Sequence, residues 1–166
     1  MKEGVKYTGV PTIAEIEATP GLVSEARFDE GPVAVIECVQ EIPCNPCEKA
    51  CPFGAITVGQ PITNLPIIDE EKCTGCGVCL YQCPGLAIFR VHKNYTATTA
   101  MVEFPYEYLP MPQEGATVRC GGRDGQFLTE GTVIKARKSK QSDGTTIVSV
   151  EVPKDYYMSV RTICRQ

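Results

Sequence analysis

Cysteines dominate residues 73–84, which read CTGCGVCLYQCP. Three cysteines stand at every third position, a fourth follows after three intervening residues, and a proline comes directly after it. A loop this short brings several thiolates together, and thiolate is the ligand that soft metals and iron–sulfur clusters prefer. In runs of this spacing the last cysteine serves a different centre from the other three. The stretch therefore predicts two metal centres and a second run of cysteines elsewhere in the chain.

The second run lies upstream and forms an internal repeat at an offset of 32 residues. Under that offset the following residues coincide: Cys44 with Cys76, Cys47 with Cys79, Cys51 with Cys83, Pro52 with Pro84, Ala55 with Ala87 and Ile56 with Ile88. Short apolar stretches at 32–36 and 65–68 precede the two runs and predict strands. Each half thus reads strand, cysteine loop, short helix, Cys-Pro and return strand, and two such halves bury one shared core.

Residues 32–91 resemble a bacterial-type ferredoxin domain with two 4Fe-4S clusters, through the two cysteine runs that end in Cys-Pro. In that family each cluster takes three cysteines from one run and the fourth from the other. The resemblance implies that one cluster is held by Cys73, Cys76, Cys79 and Cys51. It implies that three ligands of the other cluster are Cys44, Cys47 and Cys83.

The fourth ligand of this other cluster is where the chain departs from the family pattern. The repeat places Glu41 opposite Cys73, whereas the nearest cysteine is Cys38, three residues before Glu41. We predict Cys38 as the ligand, because thiolate is softer than carboxylate and the intervening residues VQEIP can fold back. The alternative is that Cys38 is a buried strand thiol and that Glu41, or no residue, completes an oxygen-ligated or three-iron cluster.

The two cysteine loops also differ in composition. Gly75 and Gly77 allow backbone amides to approach the cluster sulfurs, and such hydrogen bonds, together with burial, tune the reduction potential. The upstream run has Pro43 and Asn45 at the equivalent positions. This difference predicts two clusters of unequal reduction potential.

Zinc is the main alternative for these cysteines, since four of them, Cys44, Cys47, Cys73 and Cys76, would alone make a zinc ribbon. Eight cysteines in two full runs exceed what zinc requires. The chain has ten cysteines, and residues 1–10 contain no apolar core or cleavage site, so we expect a reducing cytoplasm. No run approaches the roughly 18 apolar residues of a membrane span.

The flanking regions divide the chain into an N-terminal arm at 1–31, the dicluster domain at 32–95 and a β module at 96–166. Thr12 and Glu15 fit a capping box for a short helix that ends near Ala18. The arm either packs on its own domain or reaches a partner. The β module is expected to have strands at 98–104, 116–120, 126–136, 145–152 and 157–164, with Asp-Gly turns near residues 124 and 143. The predicted fold class is α+β: a ferredoxin-like dicluster domain with an appended small antiparallel β-barrel or sheet.

The remaining reactive side chains form no catalytic set. Cys120 and Cys164 are isolated and expected as buried or free thiols, and His92, the only histidine, is expected on the surface. Residues 1–118 hold 7 Lys or Arg and 15 Asp or Glu, whereas residues 119–166 hold 9 and 5. An acidic front and a basic back without interleaved aromatics indicate either docking between proteins or solvated faces, rather than nucleic-acid binding.

Nearly the whole chain is similar to small 4Fe-4S subunits of FAD-dependent amino-acid and amine dehydrogenases of the proline, hydroxyproline or opine type. The similarity lies in GPVAVIECVQEIPCNPCEKACPFGAITVGQPITNLP, DEEKCTGCGVCLYQCPGLAIF and FPYEYLP. It implies one partner subunit with FAD, another with 2Fe-2S, and an electron-transfer role for this chain without catalysis of its own. The alternatives are a free-standing dicluster ferredoxin with an accessory domain and a zinc-binding interaction module.

Overall fold

The computed structural model describes residues 2–140, 142 and 144–165, which form short helices and one large sheet. The helices are α1 (Val5–Thr8), α2 (Ile13–Glu17), α3 (Glu25–Asp29), α4 (Pro46–Ala50) and α5 (Val78–Gln82), with a 3-10 turn at Lys154–Tyr156. The strands are β1 (Val33–Ile36), β2 (Ile56–Thr57), β3 (Ile67–Ile68), β4 (Ile88–His92), β5 (Thr99–Tyr106), β6 (Thr117–Gly121), β7 (Phe127–Lys138), β8 (Thr146–Pro153) and β9 (Thr162–Ile163). Among the described residues no helix is long and apolar enough to cross a bilayer.

Seven strands form the main sheet in the order β1-β4-β5-β8-β7-β6-β9, and every neighbouring pair is antiparallel. β-branched residues fill its centre, where Val102, Val148 and Val150 have no solvent exposure. The prediction of an antiparallel sheet is confirmed, and the alternative of a β-barrel is wrong. A barrel requires its first and last strands to pair, whereas β1 and β9 stand at opposite edges.

The sheet runs across residue 95, which is the predicted boundary between the dicluster domain and the β module. Val91 on β4 pairs with Val102 on β5, and both side chains are fully buried. Strands from both sides of the boundary therefore share one hydrogen-bonded ladder. The division of the chain into three parts stays a prediction.

The C-terminal strands follow the predicted pattern except at the last one. β5, β7 and β8 extend past their predicted ends, to Tyr106, Lys138 and Pro153. The strand predicted at 157–164 is wrong, because the chain turns there to bury Val160 and Arg161 and only Thr162–Ile163 remains a strand. Asp143 of the predicted Asp-Gly turn lies outside the described residues.

The backbone around the cysteine runs carries the offset of 32 residues into its strand pairing. β1 pairs with β4 through Ile36 and Ile88, and β3 pairs with β2 through Ile68 and Ile56. Adding 32 to the first member of a pair and subtracting it from the second converts one pair into the other. The backbone hydrogen bonds beside these pairs obey the same relation, and both are 2.8 Å long. The two short ladders are therefore related by an approximate twofold axis.

The N-terminal arm packs against its own chain. Thr12 and Glu15 form the predicted capping box at the start of α2. No sequence pattern indicates α3, yet it buries Phe28 at 1% exposure and Arg27 at 9%. Two adjacent carbonyls of the arm accept hydrogen bonds from β1 and β3, at 3.0 and 3.1 Å. The arm thus joins the two related ladders.

Candidate metal centres

One small cavity is lined by four cysteines that the repeat predicts to act together: Cys51, Cys73, Cys76 and Cys79. Three of them belong to the downstream run, and Cys51 comes from the upstream run, directly after α4. We call this the glycine-loop cavity, because Gly75 and Gly77 also line it.

A second cavity of similar size is lined by the other four predicted cysteines: Cys38, Cys44, Cys47 and Cys83. We call it the proline-loop cavity, after the Pro43 that replaces a glycine in this loop. Cys38 lies just beyond β1, whereas Glu41 is exposed and is not part of the lining. The structure thus brings together each predicted set of four cysteines. That these sets bind clusters stays a prediction.

The donor chemistry of both cavities fits a four-thiolate cluster. Apolar residues complete the walls, with Ala34 and Ile56 in the glycine-loop cavity and Ile36 and Ile88 in the proline-loop cavity. Within the part of the chain that the structure describes, no three His, Cys, Asp or Glu side chains lie close enough to share a single metal ion. An iron–sulfur cluster places different demands on spacing, because each thiolate binds a different iron atom.

The glycine loop folds tightly against the start of β1. Gly75 has a φ of +65°, and a Cβ at this position would lie 2.1 Å from the carbonyl oxygen of Pro32. Only glycine combines this left-handed conformation with so close an approach. Arg90 donates a hydrogen bond from Nε to the carbonyl of Gly75. The loop between Cys73 and Cys76 is therefore held on two sides.

Arg27 of α3 fastens the same loop from the N-terminal arm. Its Nη2 donates to the carbonyls of Cys73 at 2.7 Å and Pro32 at 3.1 Å, and its Nε donates to the carbonyl of Glu70 at 3.0 Å. One buried guanidinium thus connects the arm, β1 and the cysteine loop. Sequence reasoning missed this residue, because a single arginine in a polar arm carries no pattern.

One sulfur in each cavity accepts a hydrogen bond from the backbone. The N–H of Ala55 donates to Sγ of Cys51 at 3.2 Å, and the N–H of Ala87 donates to Sγ of Cys83 at 3.4 Å. These two cysteines are the ones that cross to the cavity of the opposite run. Hydrogen bonds to a thiolate favour its charged form. The sequence signal for this device is the Cys-Pro-x-x-Ala pattern present in both runs.

Burial disfavours the thiolate form of several of these cysteines. It raises the pKa of Cys47 to about 11, and the neighbouring Cys83 adds to the effect. Burial also raises the pKa of Cys79 and of Cys38. Such thiols become ligands only where positive charge offsets their own, as bound iron does. Metal binding here therefore releases protons.

A buried carboxylate lies between two arginines beside the glycine loop. Glu103 on β5 is 1% exposed and accepts hydrogen bonds from Arg90 on β4 and, at 2.6 Å, from the hydroxyl of Ser149. Nη1 of Arg137 on β7 forms an ion pair with the same carboxylate at 2.8 Å. Burial alone would raise the pKa of Glu103, but Ser149 and the two arginines hold it below its ordinary value. We call Arg90, Glu103 and Arg137 the Glu103 group.

A second buried carboxylate lies between two arginines beside the proline loop. Glu37 directly precedes Cys38 and accepts hydrogen bonds from Arg123 at 2.6 and 2.7 Å and from Arg161 at 2.7 Å. We call Glu37, Arg123 and Arg161 the Glu37 group. All three line an open cleft together with Cys38 and Cys83. Sequence reasoning missed both groups, because the arginines are isolated in the sequence and meet the carboxylates only through the sheet.

The other candidate residues lie away from these linings. Cys120 is fully buried on β6, and Cys164 is partly buried after β9. His92 is partly exposed and packs edge-on against the ring of Tyr95, with centroids 5.8 Å apart. Their roles as structural thiols and as a surface side chain stay predictions.

Residues 66–89 match the family of 4Fe-4S binding domains. The matched segment contains β3, the glycine loop and α5, with four cysteines of the two cavities: Cys73, Cys76, Cys79 and Cys83. This part of the chain is therefore a ferredoxin-type 4Fe-4S domain.

Curated relatives match parts of the chain. It is 51% identical over 47 residues to one subunit of an ion-translocating oxidoreductase complex of Methanosarcina acetivorans, which covers 28% of this chain and 17% of that protein. It is 32% identical over 83 residues to the polyferredoxin-like subunit of an aliphatic sulfonate oxidoreductase of Pyrococcus furiosus, covering 50% and 41%. It is 28% identical over 122 residues to the protein Pixie of Drosophila melanogaster, covering 64% and 20%. The chain thus spans less than half the length of each of these relatives. No solved structure matches it.

Proposed function

We propose that the chain is an electron-transfer protein that holds two 4Fe-4S clusters, one in each cysteine cavity. The observation that carries this proposal is the grouping of eight cysteines into two linings of four, each with one cysteine from the opposite run. The match of residues 66–89 to 4Fe-4S binding domains supports it. When bound, a 4Fe-4S cluster supplies a centre that accepts and releases one electron at a time.

The protein's own residues hold and shield these centres. The proposed ligands are Cys51, Cys73, Cys76 and Cys79 for the glycine-loop cavity, and Cys38, Cys44, Cys47 and Cys83 for the proline-loop cavity. Apolar walls limit the access of water, and the amides of Ala55 and Ala87 stabilise two of the thiolates. We assign no catalytic residue to this chain, and bond-breaking chemistry belongs to a partner.

Exposed apolar side chains at both cavities suit the docking of electron donors and acceptors. Phe53 lines the glycine-loop cavity and is 50% exposed, and Ile42 lines the proline-loop cavity and is 46% exposed. A partner that covers either side chain would bury apolar surface and come close to the centre behind it. The two cavities thus offer separate entry and exit points.

The proposed donor is a reduced flavin on an FAD-dependent dehydrogenase subunit, in a cytoplasmic assembly that also includes a 2Fe-2S subunit. The flavin would release its two electrons one at a time and its protons to solvent, and a quinone or ferredoxin would take up the electrons. Support for this assembly comes from the resemblance to small subunits of amino-acid and amine dehydrogenases. Two of the curated relatives carry names of oxidoreductase subunits, which supports a role in a complex.

Anaerobic purification with counts of iron and acid-labile sulfide tests the two-cluster proposal. We expect about eight irons per chain, and we expect Cys44→Ala and Cys76→Ala each to remove about half of them. Bound zinc without sulfide would overturn the proposal and favour an interaction module. The companion chains test the assembly: a flavoprotein that co-purifies supports it, and a stable monomer with full iron content indicates a free-standing ferredoxin.

A further inference from the structure

The Glu103 group holds an unbalanced positive charge inside the protein. Its one carboxylate is 1% exposed, and the side chains of Arg90 and Arg137 are 18% and 30% exposed. An arginine side chain stays protonated in proteins. Two positive charges and one negative charge therefore leave one positive charge in excess, largely withdrawn from solvent.

This charge lies directly against the loop that carries three cysteines of the glycine-loop cavity. Arg90 donates from Nε to the carbonyl of Gly75, between Cys73 and Cys76. A Cβ placed on Gly77, between Cys76 and Cys79, would lie 3.4 Å from Cδ of Arg90 and 3.6 Å from Nη2 of Arg137. Both guanidinium groups thus reach the short segment from 75 to 77.

Arg137 also reaches the helix that follows the loop. Its Nε donates a hydrogen bond of 2.9 Å to the hydroxyl of Tyr81 on α5. Arg137 lies on β7 and Glu103 on β5, so the charge is delivered by the C-terminal strands of the sheet. These strands have a position from which they act on the centre itself, besides any contact with a partner.

We propose that the Glu103 group raises the reduction potential of the centre held by Cys51, Cys73, Cys76 and Cys79. This inference rests on the proposed function, because it requires a redox centre in that cavity. Reduction adds one electron, and hence one negative charge, to the site. A fixed positive charge nearby stabilises the reduced form more than the oxidised form, and burial limits the screening of that interaction by salt.

The test is a redox titration of the full-length holoprotein with dithionite and mediators, followed by electron paramagnetic resonance. Arg137→Gln removes one charge while keeping hydrogen-bonding groups. We expect about a tenfold or larger shift of one centre toward its oxidised form at a given potential, which is about 59 mV or more for one electron. Arg137→Lys keeps the charge and should retain most of the potential. Lys138→Gln, an exposed lysine on the same strand, is the matched control and should change neither centre.

Iron and sulfide counts on the same samples separate this inference from the function on which it rests. Wild-type protein without clusters would refute the proposed function. Full clusters in Arg137→Gln with an unchanged potential would refute only the role of the Glu103 group. If Arg137→Gln loses its iron, Glu103→Gln carries the test. That variant adds to the excess of positive charge, and its potential should rise, whereas an unchanged or lower potential would overturn the inference.

Discussion

The two cysteine cavities share a backbone frame but differ in how their loops are held. The glycine loop is clamped against Pro32 and accepts hydrogen bonds from Arg27 and Arg90. The loop between Cys38 and Cys44 leaves residues 40–43 exposed. Both cavities nevertheless gather four thiols, because the paired ladders of β1 with β4 and of β2 with β3 set the positions of the surrounding chain. Ligand placement thus depends on the ladders, and the loops are free to diverge.

The two carboxylate groups repeat the comparison on the side of the C-terminal strands. The Glu103 group packs against the glycine loop, whereas the Glu37 group lines an open cleft. Each has one carboxylate and two arginines. The environments around similar charges therefore differ, which agrees with the expectation of unequal potentials, and that expectation stays a prediction.

The largest expected effect concerns the irregular ligand of the proline-loop cavity. Cys38→Ala should lower the iron content from about eight to about four atoms per chain, because this cavity loses one of its four thiolates. Glu41→Ala is the control and should keep all the iron, since Glu41 is exposed and outside the lining. Iron and sulfide analysis of anaerobically reconstituted protein measures both. The opposite pattern would assign the ligand to Glu41.

A smaller effect is expected where the glycine loop is clamped. Gly75→Ala should lower the free energy of unfolding by roughly 3 kcal/mol, because the new Cβ overlaps the Pro32 carbonyl and φ is positive. Gly85→Ala is the control: no atom lies within 4 Å of its Cβ position. Anaerobic denaturant titration of both holoproteins gives the comparison. Equal stability of the two variants would contradict the tight fit.

The Glu37 group offers the next test, on the side of the proline loop. Arg123→Ala should cost roughly 2 kcal/mol of unfolding free energy, because a buried carboxylate loses one of its two cationic partners. Arg119→Ala, at an exposed site, should cost less than about 1 kcal/mol. Thermal or denaturant unfolding distinguishes them. A cost below that of the control would mean that Arg161 alone satisfies Glu37.

The smallest effect tests how closely the two halves correspond. Gly54 has a φ of 62°, and Leu86, 32 residues later, has a φ of 52°. Gly54→Ala should therefore cost only about 1 kcal/mol of backbone strain, since no atom lies within 4 Å of its Cβ position. Denaturant unfolding measures the change. A cost of about 3 kcal/mol or more would show that the halves are not equivalent at this turn.

Local patterns were sufficient to predict much of the candidate site. The spacing of the cysteines, the offset of 32 residues and the Cys-Pro pairs predict which four thiols meet, and the structure groups them in that way. The capping box of α2 is a similar case, because Thr12 and Glu15 interact within one turn. In each case the signal lies in residues close in sequence or in a repeat of such residues.

Contacts between distant segments were beyond the reach of those patterns. α3 has five residues and forms because Phe28 and Arg27 are buried against the rest of the chain. Glu103 and Arg137 are 34 positions apart and meet only because β8 lies between their strands in the sheet.

The sequence by itself determined the thiol chemistry and its twofold repeat, since ligand type and spacing are local properties of the chain. The tertiary structure alone decided that Cys38, and not Glu41, joins the proline-loop cavity. It also decided that arginines of the C-terminal strands lie beside both cavities. The physical reason is that burial and charge depend on which segments pack together, and the antiparallel order of the sheet sets that packing.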